Sequence, residues 1–538
     1  MVYFFLILAL VASFELGSPL TLETAVQKSL KWPEEYYFKG EEVDYLAGII
    51  TPFEMWYSGN SSRSRIDYND GTVKNYYVVE DDGDIAREFK VHPQTTEEET
   101  NVIVCTELFD NKTLYDILPE ELNYEYIGPK FYNGKFVDVW EYAEKDEIAK
   151  EKTEKTLYVY QEDGGISIPV YEEIKVYNLW IGAVSQHSVK RFYDYSKPVL
   201  EYLDLDESCN DTEAVGSVMV ESFSSDILSD IDGAFRSYVS RHNKKYRGDE
   251  HEIRKQILQD NLRRVIDHNQ KNLGYKLTIN KFSDRTDSEL ANIMGALPSL
   301  DHVGSVPFPH TEEEVENLAE KLPKSFDMRL RGYISSVKNQ AECGSCWSFA
   351  TIAAVEGALA RKNVGQRNLD LSEQSLVDCS WGFNTYGCDG GMIDGTFEYI
   401  LEHGIPSEME YGLYLNKEGW CSIENMTELH KIKDFAAVPP LSVNAMKLAL
   451  YEYGPVTVTI NANDAVFSYD SGIFYDQTCN NEPLNHAVTV VGYGVRDGVD
   501  YWIVKNSWGE DYGEDGYILI SARNNTCHIL ENAFYPVV

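Results

Sequence analysis

Positive charge is what this sequence has least of. Lys and Arg number 47 against 88 Asp and Glu, a formal net charge of −41 over 538 residues. A surface so acidic repels phosphate backbones and anionic lipid, which argues against nucleic-acid binding and polybasic membrane docking. Long apolar runs are lacking too. Residues 2–13 (VYFFLILALVAS) are uncharged but fall short of the roughly 20 residues that span a bilayer. Small residues follow, and a secretory signal peptide over 1–17 is expected, although the usual positive start is missing. No later run suits a membrane span. Metal-ligand spacing is also missing. His251-Glu252 has no second His at the zincin distance, and Cys343/Cys346 have no second C-x-x-C. No metal and no cofactor are expected, and the acidic turn 510–515 reads as a solvated loop.

What is present is ordinary globular composition, 43% hydrophobic and 25% charged. The length calls for two to four domains. Nine cysteines occur, at 105, 209, 343, 346, 379, 388, 421, 479 and 527. An odd count leaves at least one free thiol if pairing is intramolecular. Sequons at Asn60, Asn111, Asn210, Asn425 and Asn524 are candidate glycan sites in a secreted chain. Residues 18–225 read as β-rich, with Asn133-Gly134 between aromatic runs as a hairpin signal. Cys105 and Cys209 are placed to staple that region, which carries no chemical motif. Residues 226–295 turn helical and charged, with Glu250 four residues before Arg254. Residues 296–322, with prolines and TEEEVEN, read as an exposed, protease-sensitive linker. In 323–538 helical text precedes strand text, which suggests two subdomains with a cleft between them.

The chemistry concentrates at Gln340-Ala341-Glu342-Cys343-Gly344-Ser345-Cys346-Trp347. Cys346 opens a predicted helix, and the positive end of the helix dipole favours thiolate, the nucleophilic form. Such a nucleophile needs a histidine brought near by folding. His486 is the best candidate, at the head of the strand HAVTVVGYG. Asn506 follows in Asn506-Ser507-Trp508-Gly509, where its amide oxygen can orient the imidazole and Trp508 can shield that bond.

With these residues, and with Ser372-Glu373-Gln374, Asp378-Cys379, Gly387-Cys388-Asp389-Gly390-Gly391, Gly454-Pro455 and Gly513-Glu514-Asp515-Gly516-Tyr517, residues 323–538 resemble the papain-like cysteine peptidases, the cathepsin L group especially. The segment before resembles their inhibitor prodomain. Glu250, Arg254, Leu258, Asn261, Val265 and Asn269 follow its ERFNIN pattern, with Leu258 and Val265 as apolar variants of Phe and Ile. Asn280-Lys281-Phe282-Ser283-Asp284 matches its second motif, with Thr278 where the family has Gly. The resemblance implies an α+β fold: a helical L subdomain and a β-barrel-like R subdomain over 323–538, preceded by a helical prodomain and linker (226–322) and the β-rich N-terminal domain (18–225). It implies Cys346 as nucleophile, His486 as acid–base, Asn506 as orienter, and Gln340 with the Cys346 N–H as oxyanion hole. It places substrate backbone on Gly390 and Gly391, and a P2 side chain among Met392, Ile393, Thr459, Leu484, Ala487 and Asn532, beside Trp508. Glu531 takes the place of Asn532 if the alignment slips by one. It pairs Cys343–Cys388, Cys379–Cys421 and Cys479–Cys527, which leaves Cys105 with Cys209.

Departures sharpen the reading. Asp327-Met328-Arg329 stands where the family has Asp-Trp-Arg, and no His-His insertion lies between Cys388 and Cys421, so an endopeptidase is expected. The expected protein is an acid-activated zymogen of the secretory pathway, lysosomal or secreted. Its partners are protein and peptide substrates and its own prodomain as intramolecular inhibitor. Glu250, paired with Arg254, and Asp284 are the expected acid trigger, and cleavage is expected near 321–324. The N-terminal chain, similar in placement to that of the long-precursor cathepsins of arthropods, is a candidate for retention after processing. The alternative is an inactive protease scaffold that serves as a binding protein through the N-terminal domain.

Overall fold

Alternating burial shapes the N-terminal region into one antiparallel sheet. Tyr36 and Phe38 of the first strand are buried and their immediate neighbours are not, the period of two that a pleated strand requires. The computed structural model describes residues 28–209, 231–362 and 369–538, apart from 47, 80–85, 96–99, 113, 120–121, 147–150, 163, 179–183, 243, 245, 247–248 and 300. The expected signal peptide and the sequon at Asn210 lie outside the described residues.

Eleven strands make the sheet: β1 (Glu35–Asp44), β2 (Ile49–Ser58), β3 (Arg63–Tyr68), β4 (Val73–Val79), β5 (Ala86–Gln94), β6 (Val102–Lys112), β7 (Glu125–Tyr132), β8 (Lys135–Asp146), β9 (Glu151–Gln161), β10 (Ser167–Asn178) and β11 (Val184–Ser196). Their order is β6-β5-β4-β3-β2-β1-β11-β10-β9-β8-β7. Two meanders therefore meet where the first strand pairs antiparallel with the last. The Asn133-Gly134 hairpin is present. Tyr132 pairs with Lys135, and both loop residues have positive φ, 45° and 82°, as a two-residue turn of this type demands. Cys105–Cys209 bridges β6 to the end of this region across 104 residues of sequence. On the chain-entropy view, a loop that long stabilises by about 4–5 kcal/mol.

The following helical unit explains its own sequence pattern. Helix Asp249–Gln270 crosses Ile231–Arg241, and Leu258 packs with Phe235, Tyr238 and Val239. Arg254 is buried and binds Glu250, both oxygens of Glu289, and the Asp284 carbonyl at 3.1 Å. Asn261 Nδ2 donates to the Ser283 carbonyl at 2.8 Å, and Asn269 clasps both backbone groups of Leu277. Thr278 takes the family's glycine position without strain. The turn falls earlier, at Asn272 (φ 51°) and Gly274 (φ 94°), and Thr278 donates its N–H to the Ser468 carbonyl at 2.7 Å.

One expectation needs correction. Residues 296–322 are not a bare linker. Ala296–Leu297 is a strand, and Glu312–Ala319 is a helix with buried Val315 against helix Val443–Glu452. Thr311 and Glu314 form a capping box, which stabilises the helix start that a count of prolines and acids overlooks.

The C-terminal domain has a helical half and a β half. Helix Cys346–Lys362 is buried along nearly its whole length and packs on strand His486–Arg496 of a nine-stranded sheet. Strand Tyr275–Leu277 of the preceding unit extends that sheet by pairing with Tyr469–Phe474. On another face the N-terminal sheet docks: Ile49 packs with Cys343, Phe349, Val377 and Tyr414. Met328, in the place of the family's Trp, is fully buried.

Candidate active site

Helix Cys346–Lys362 and strand His486–Arg496 bring Cys346 and His486 together. The Ala487 N–H, next to His486, donates to Cys346 Sγ at 3.4 Å. Cys346 is the free cysteine; the other eight form Cys105–Cys209, Cys343–Cys388, Cys379–Cys421 and Cys479–Cys527. His486 Nε2 lies 2.8 Å from Asn506 Oδ1, which also accepts the Ser507 N–H. An amide oxygen can only accept, so the imidazole donates from Nε2 and carries its lone pair on Nδ1. Nδ1 is buried and makes no hydrogen bond, which leaves it free for a thiol proton. Trp508 stacks on the imidazole at 4.6 Å between ring centroids and keeps water from the His486–Asn506 bond.

Gln340 joins the same network. Its Oε1 accepts from Ser507 Oγ at 2.6 Å, which turns its Nε2 toward the cleft. Nε2 donates to the Cys343 carbonyl at 2.9 Å and to the Ile293 carbonyl at 2.8 Å. Ser507 is a functional residue that sequence reasoning passed over: it stood inside a quoted motif, but nothing in the pattern says that its hydroxyl fixes Gln340.

Segment 293–297 fills the cleft. Gly295 O accepts from the Gly391 N–H at 2.8 Å, and Ala296–Leu297 pairs parallel with Gly391–Met392. A Cβ on Gly295 would come within 1.6 Å of the Gly344 carbonyl oxygen, so only glycine passes there. Gly295 was also missed; a single glycine at the end of a segment read as helical and charged gives no signal. Ala296 packs with Cys346, Trp347, Ile393 and Ala487. Thr459 lies opposite both Ala487 and Asn532, and its Oγ1 donates to Asn532 Oδ1 at 3.1 Å. Glu531 is exposed and bonds Asn525 and His528 instead. Leu484 is half-buried in the loop before His486.

This cover changes the electrostatics anticipated from the helix dipole. Burial pushes the Cys346 thiol up to about 11, despite the N–H groups of Ala487 and Gly295, and pushes His486 down to about 4, despite Asn506. A dipole worth about 0.3–1 kcal/mol does not offset the desolvation of a thiolate. The pair is therefore neutral thiol and neutral imidazole while the segment is in place.

A papain family cysteine protease model matches residues 322–537, and a cathepsin propeptide inhibitor domain (I29) model matches 235–290. Pro-cathepsin H of Mus musculus is 36% identical over 308 residues, 56% of this chain and 90% of that one. Cathepsin K of Mus musculus is 36% identical over 57% of this chain and 93% of its own length. The chain belongs to the papain family of cysteine proteases. Among solved structures, digestive procathepsin L2 proteinase from Tenebrio molitor larval midgut is similar, at 33% identity and a TM-score of 0.53, over 57% of this chain and all of that one. This papain-family precursor thus carries its propeptide in cis, and both matched regions lie beyond the eleven-stranded sheet.

The propeptide holds the peptidase at three further points. Phe282 meets Trp508 edge-on at 5.2 Å. Asn280 Nδ2 donates to the Phe467 carbonyl at 2.7 Å. Lys281 Nζ donates to the Trp508 carbonyl at 2.7 Å and pairs with Asp511 of the acidic turn. Among the described residues, one group has metal-ligand spacing: His92, Asp389 and Glu418, at the seam with the N-terminal sheet.

Proposed function

We propose that this precursor is an acid-activated cysteine endopeptidase working through Cys346, His486 and Asn506. One observation carries the reading: His486 is fixed by Asn506 with its free nitrogen available, beside the domain's free thiol. Once the propeptide leaves, His486 Nδ1 takes the Cys346 proton and the thiolate attacks the scissile carbonyl carbon. The oxyanion receives hydrogen bonds from Gln340 Nε2 and the Cys346 N–H. The imidazolium returns the proton to the leaving amine, and a thioester remains. His486 then deprotonates a water, which attacks the thioester; the acid product leaves and Cys346 regains its proton. In the precursor the Ile293 carbonyl occupies the Gln340 donor, so the propeptide blocks that donor as well as the cleft.

Ile393, Ala487 and Thr459 make a P2 pocket of small and apolar walls, and Asn532 rather than Glu531 faces it, which supports a bulky apolar P2 residue. The expected acid trigger shifts. Burial opposes ionisation of Asp284, but Lys244, Tyr246 and Arg285 outweigh it and hold the carboxyl below its usual range. Such a group loses its stabilisation only below about pH 4. His242 answers earlier. Burial, then Arg241, Lys244 and Lys281, push it well below the usual imidazole value, so a propeptide that unfolds on release binds a proton there that the folded one refuses.

The N-terminal chain stays on the peptidase after processing in this reading, supported by Lys90–Glu418 at 2.7 Å and Asn101 Oδ1 accepting the Cys421 N–H at 3.2 Å. Four disulfides and exposed sequon residues Asn60, Asn425 and Asn524 support a secretory route; the Asn111 side chain lies outside the described residues. No described helix is long and apolar enough to cross a membrane. The test is fluorogenic-peptide hydrolysis by the precursor before and after incubation near about pH 5, beside Cys346→Ala, with terminal sequencing of the products. Activity only in the wild type, with a new terminus near residue 323, is expected. A correctly processed, folded product without Cys346-dependent hydrolysis would move the reading to a binding scaffold.

A further inference from the structure

We propose that His92, Asp389 and Glu418 form a divalent transition-metal site that joins the N-terminal sheet to the peptidase domain. Each presents a ligand atom within 4.8 Å of the other two. His92 lies on β5, Asp389 ends the turn before Gly390-Gly391, and Glu418 comes from the loop before Cys421. The ligands are distant in the chain, so a search for short sequence spacings passes over them; the expectation of no metal rested on such spacings.

The orphaned atoms are the observation that points to an ion. His92 is 2% exposed, and its Nδ1 lies 3.3 Å from the Pro93 carbonyl, which places the proton there and the lone pair on Nε2. Nε2 is buried and has no hydrogen-bond partner. Glu418 is fully buried, and its two oxygens differ. Oε1 is satisfied by Lys90 Nζ at 2.7 Å and the Cys388 N–H at 3.1 Å, while Oε2 is buried without a partner. A buried acceptor left unpaired costs about 1–3 kcal/mol, more when charged. Both acceptors belong to one cluster, and a cation bound by them would remove both costs. The seam sets Glu88, Asp389 and Glu418 against the ammonium groups of Lys90 and Lys417, so the carboxylates outnumber the cations by one.

The donor set narrows the ion. An imidazole with its other N–H on a backbone carbonyl is the usual arrangement of a metal-ligating histidine. One nitrogen and two carboxylates suit Zn²⁺ and its neighbours, whereas Ca²⁺ and Mg²⁺ favour oxygen alone. Asp389 directly precedes Gly390, so the ion would also brace the loop on which the propeptide backbone lies.

The test uses the full-length precursor with Cys346→Ser, which prevents self-processing and removes the thiol as a competing ligand. The protein is stripped with chelator and titrated with Zn²⁺ against a chromophoric indicator, with Co²⁺ as spectroscopic probe and thermal unfolding as a second readout. One equivalent of tight binding, ligand-field bands of a nitrogen–oxygen site, and a Tm that rises with Zn²⁺ are expected. His92→Gln and Asp389→Asn should each weaken binding at least about 10-fold and abolish the Tm rise. The Asp389 side chain is exposed, so its variant keeps the fold even if His92→Gln does not. Equal binding in wild type and both variants, or no stoichiometric binding at all, would overturn the site. Because binding is read on the uncleaved chain, the result is independent of peptidase activity and of retention after processing.

Discussion

Two other parts of the chain cover the peptidase domain; both make ion pairs with it, Lys281–Asp511 and Arg285–Glu342 on the propeptide's side, but at the cleft itself the chemistry differs from that at the N-terminal seam. The propeptide crosses the cleft on backbone groups: Ile293 O on Gln340 Nε2, Gly295 O on the Gly391 N–H, and the Ala296 N–H on Asn485 O. The N-terminal sheet docks through side chains, with the buried Lys90–Glu418 pair and the His92 ring on Trp381. A backbone contact strands no charge when it breaks, since water replaces each hydrogen bond at little net cost. A buried ion pair cannot be halved so cheaply. The proposed release of the propeptide and retention of the N-terminal chain rest on that difference.

The sharpest way to break this comparison is Lys90→Met. It leaves Glu418 buried without its cation, and precursor stability in urea should fall by about 3–5 kcal/mol. The double variant Lys90→Met/Glu418→Gln should recover most of that loss, because the charge goes too and the Cys388 N–H keeps an acceptor. If single and double variants lose equally, the pair is not what holds the seam.

Gln340→Ala separates catalysis from inhibition at one atom. In the processed enzyme turnover should drop about 10²–10³-fold, or about 3–4 kcal/mol, through loss of an oxyanion donor. Inhibition by the added propeptide should weaken only about 2–10-fold, because one neutral hydrogen bond contributes about 0.5–1.5 kcal/mol. Equal losses in both assays would mean that Gln340 merely supports the fold. Gly295→Ala acts only on the propeptide side. Its Cβ would meet the Gly344 carbonyl oxygen, and overpacking of about 1–3 kcal/mol should raise hydrolysis by unprocessed precursor at neutral pH by about 5–100-fold. No rise would show that the segment shifts aside without loosening.

The proposed catalytic residues were legible because the chemistry needs fixed side chains at fixed chain positions. Cys346 must head a helix, and Asn506 must follow the strand after His486. The same holds for Arg254, whose partners Glu250 and Glu289 fill a buried site no other residue type would satisfy. The hairpin at Asn133-Gly134 was legible for the same local reason. What stayed hidden is what the backbone does. Ile293 contributes only its carbonyl, Gly295 only the lack of a side chain, and Ser507 a hydroxyl whose target is distant in sequence. The state of the Cys346–His486 pair was hidden too, since it depends on what covers it and not on the helix it heads. The seam at His92 was hidden because its three ligands meet only when a β-sheet and a peptidase domain pack together.

The smallest expected effect tests how the departing cover is released. Tyr238 packs on the His242 ring at 4.6 Å between centroids, and the charged groups facing that ring are Arg241, Lys244 and Lys281, with Asp284 behind Lys244 at 3.1 Å. With its pKa depressed in the folded propeptide, His242 binds fewer protons folded than unfolded, so the propeptide fold, and docking with it, weakens as pH falls below about 6.5, by at most about 1.4 kcal/mol per pH unit. Asp284 and Glu289 have depressed carboxyl values: burial opposes this, and the surrounding cations prevail. Their stabilisation is complete above about pH 4 and is lost only below it. Between about pH 4 and 6.5, His242 therefore acts without them. His242→Gln keeps a polar side chain and removes the titration. The rate of processing, followed in a series of buffers, should then fall several-fold near about pH 5 and converge with wild type near neutrality. An unchanged pH profile would return the trigger to groups elsewhere in the propeptide, while a uniform shift at every pH would mark His242 as a packing residue and not a sensor.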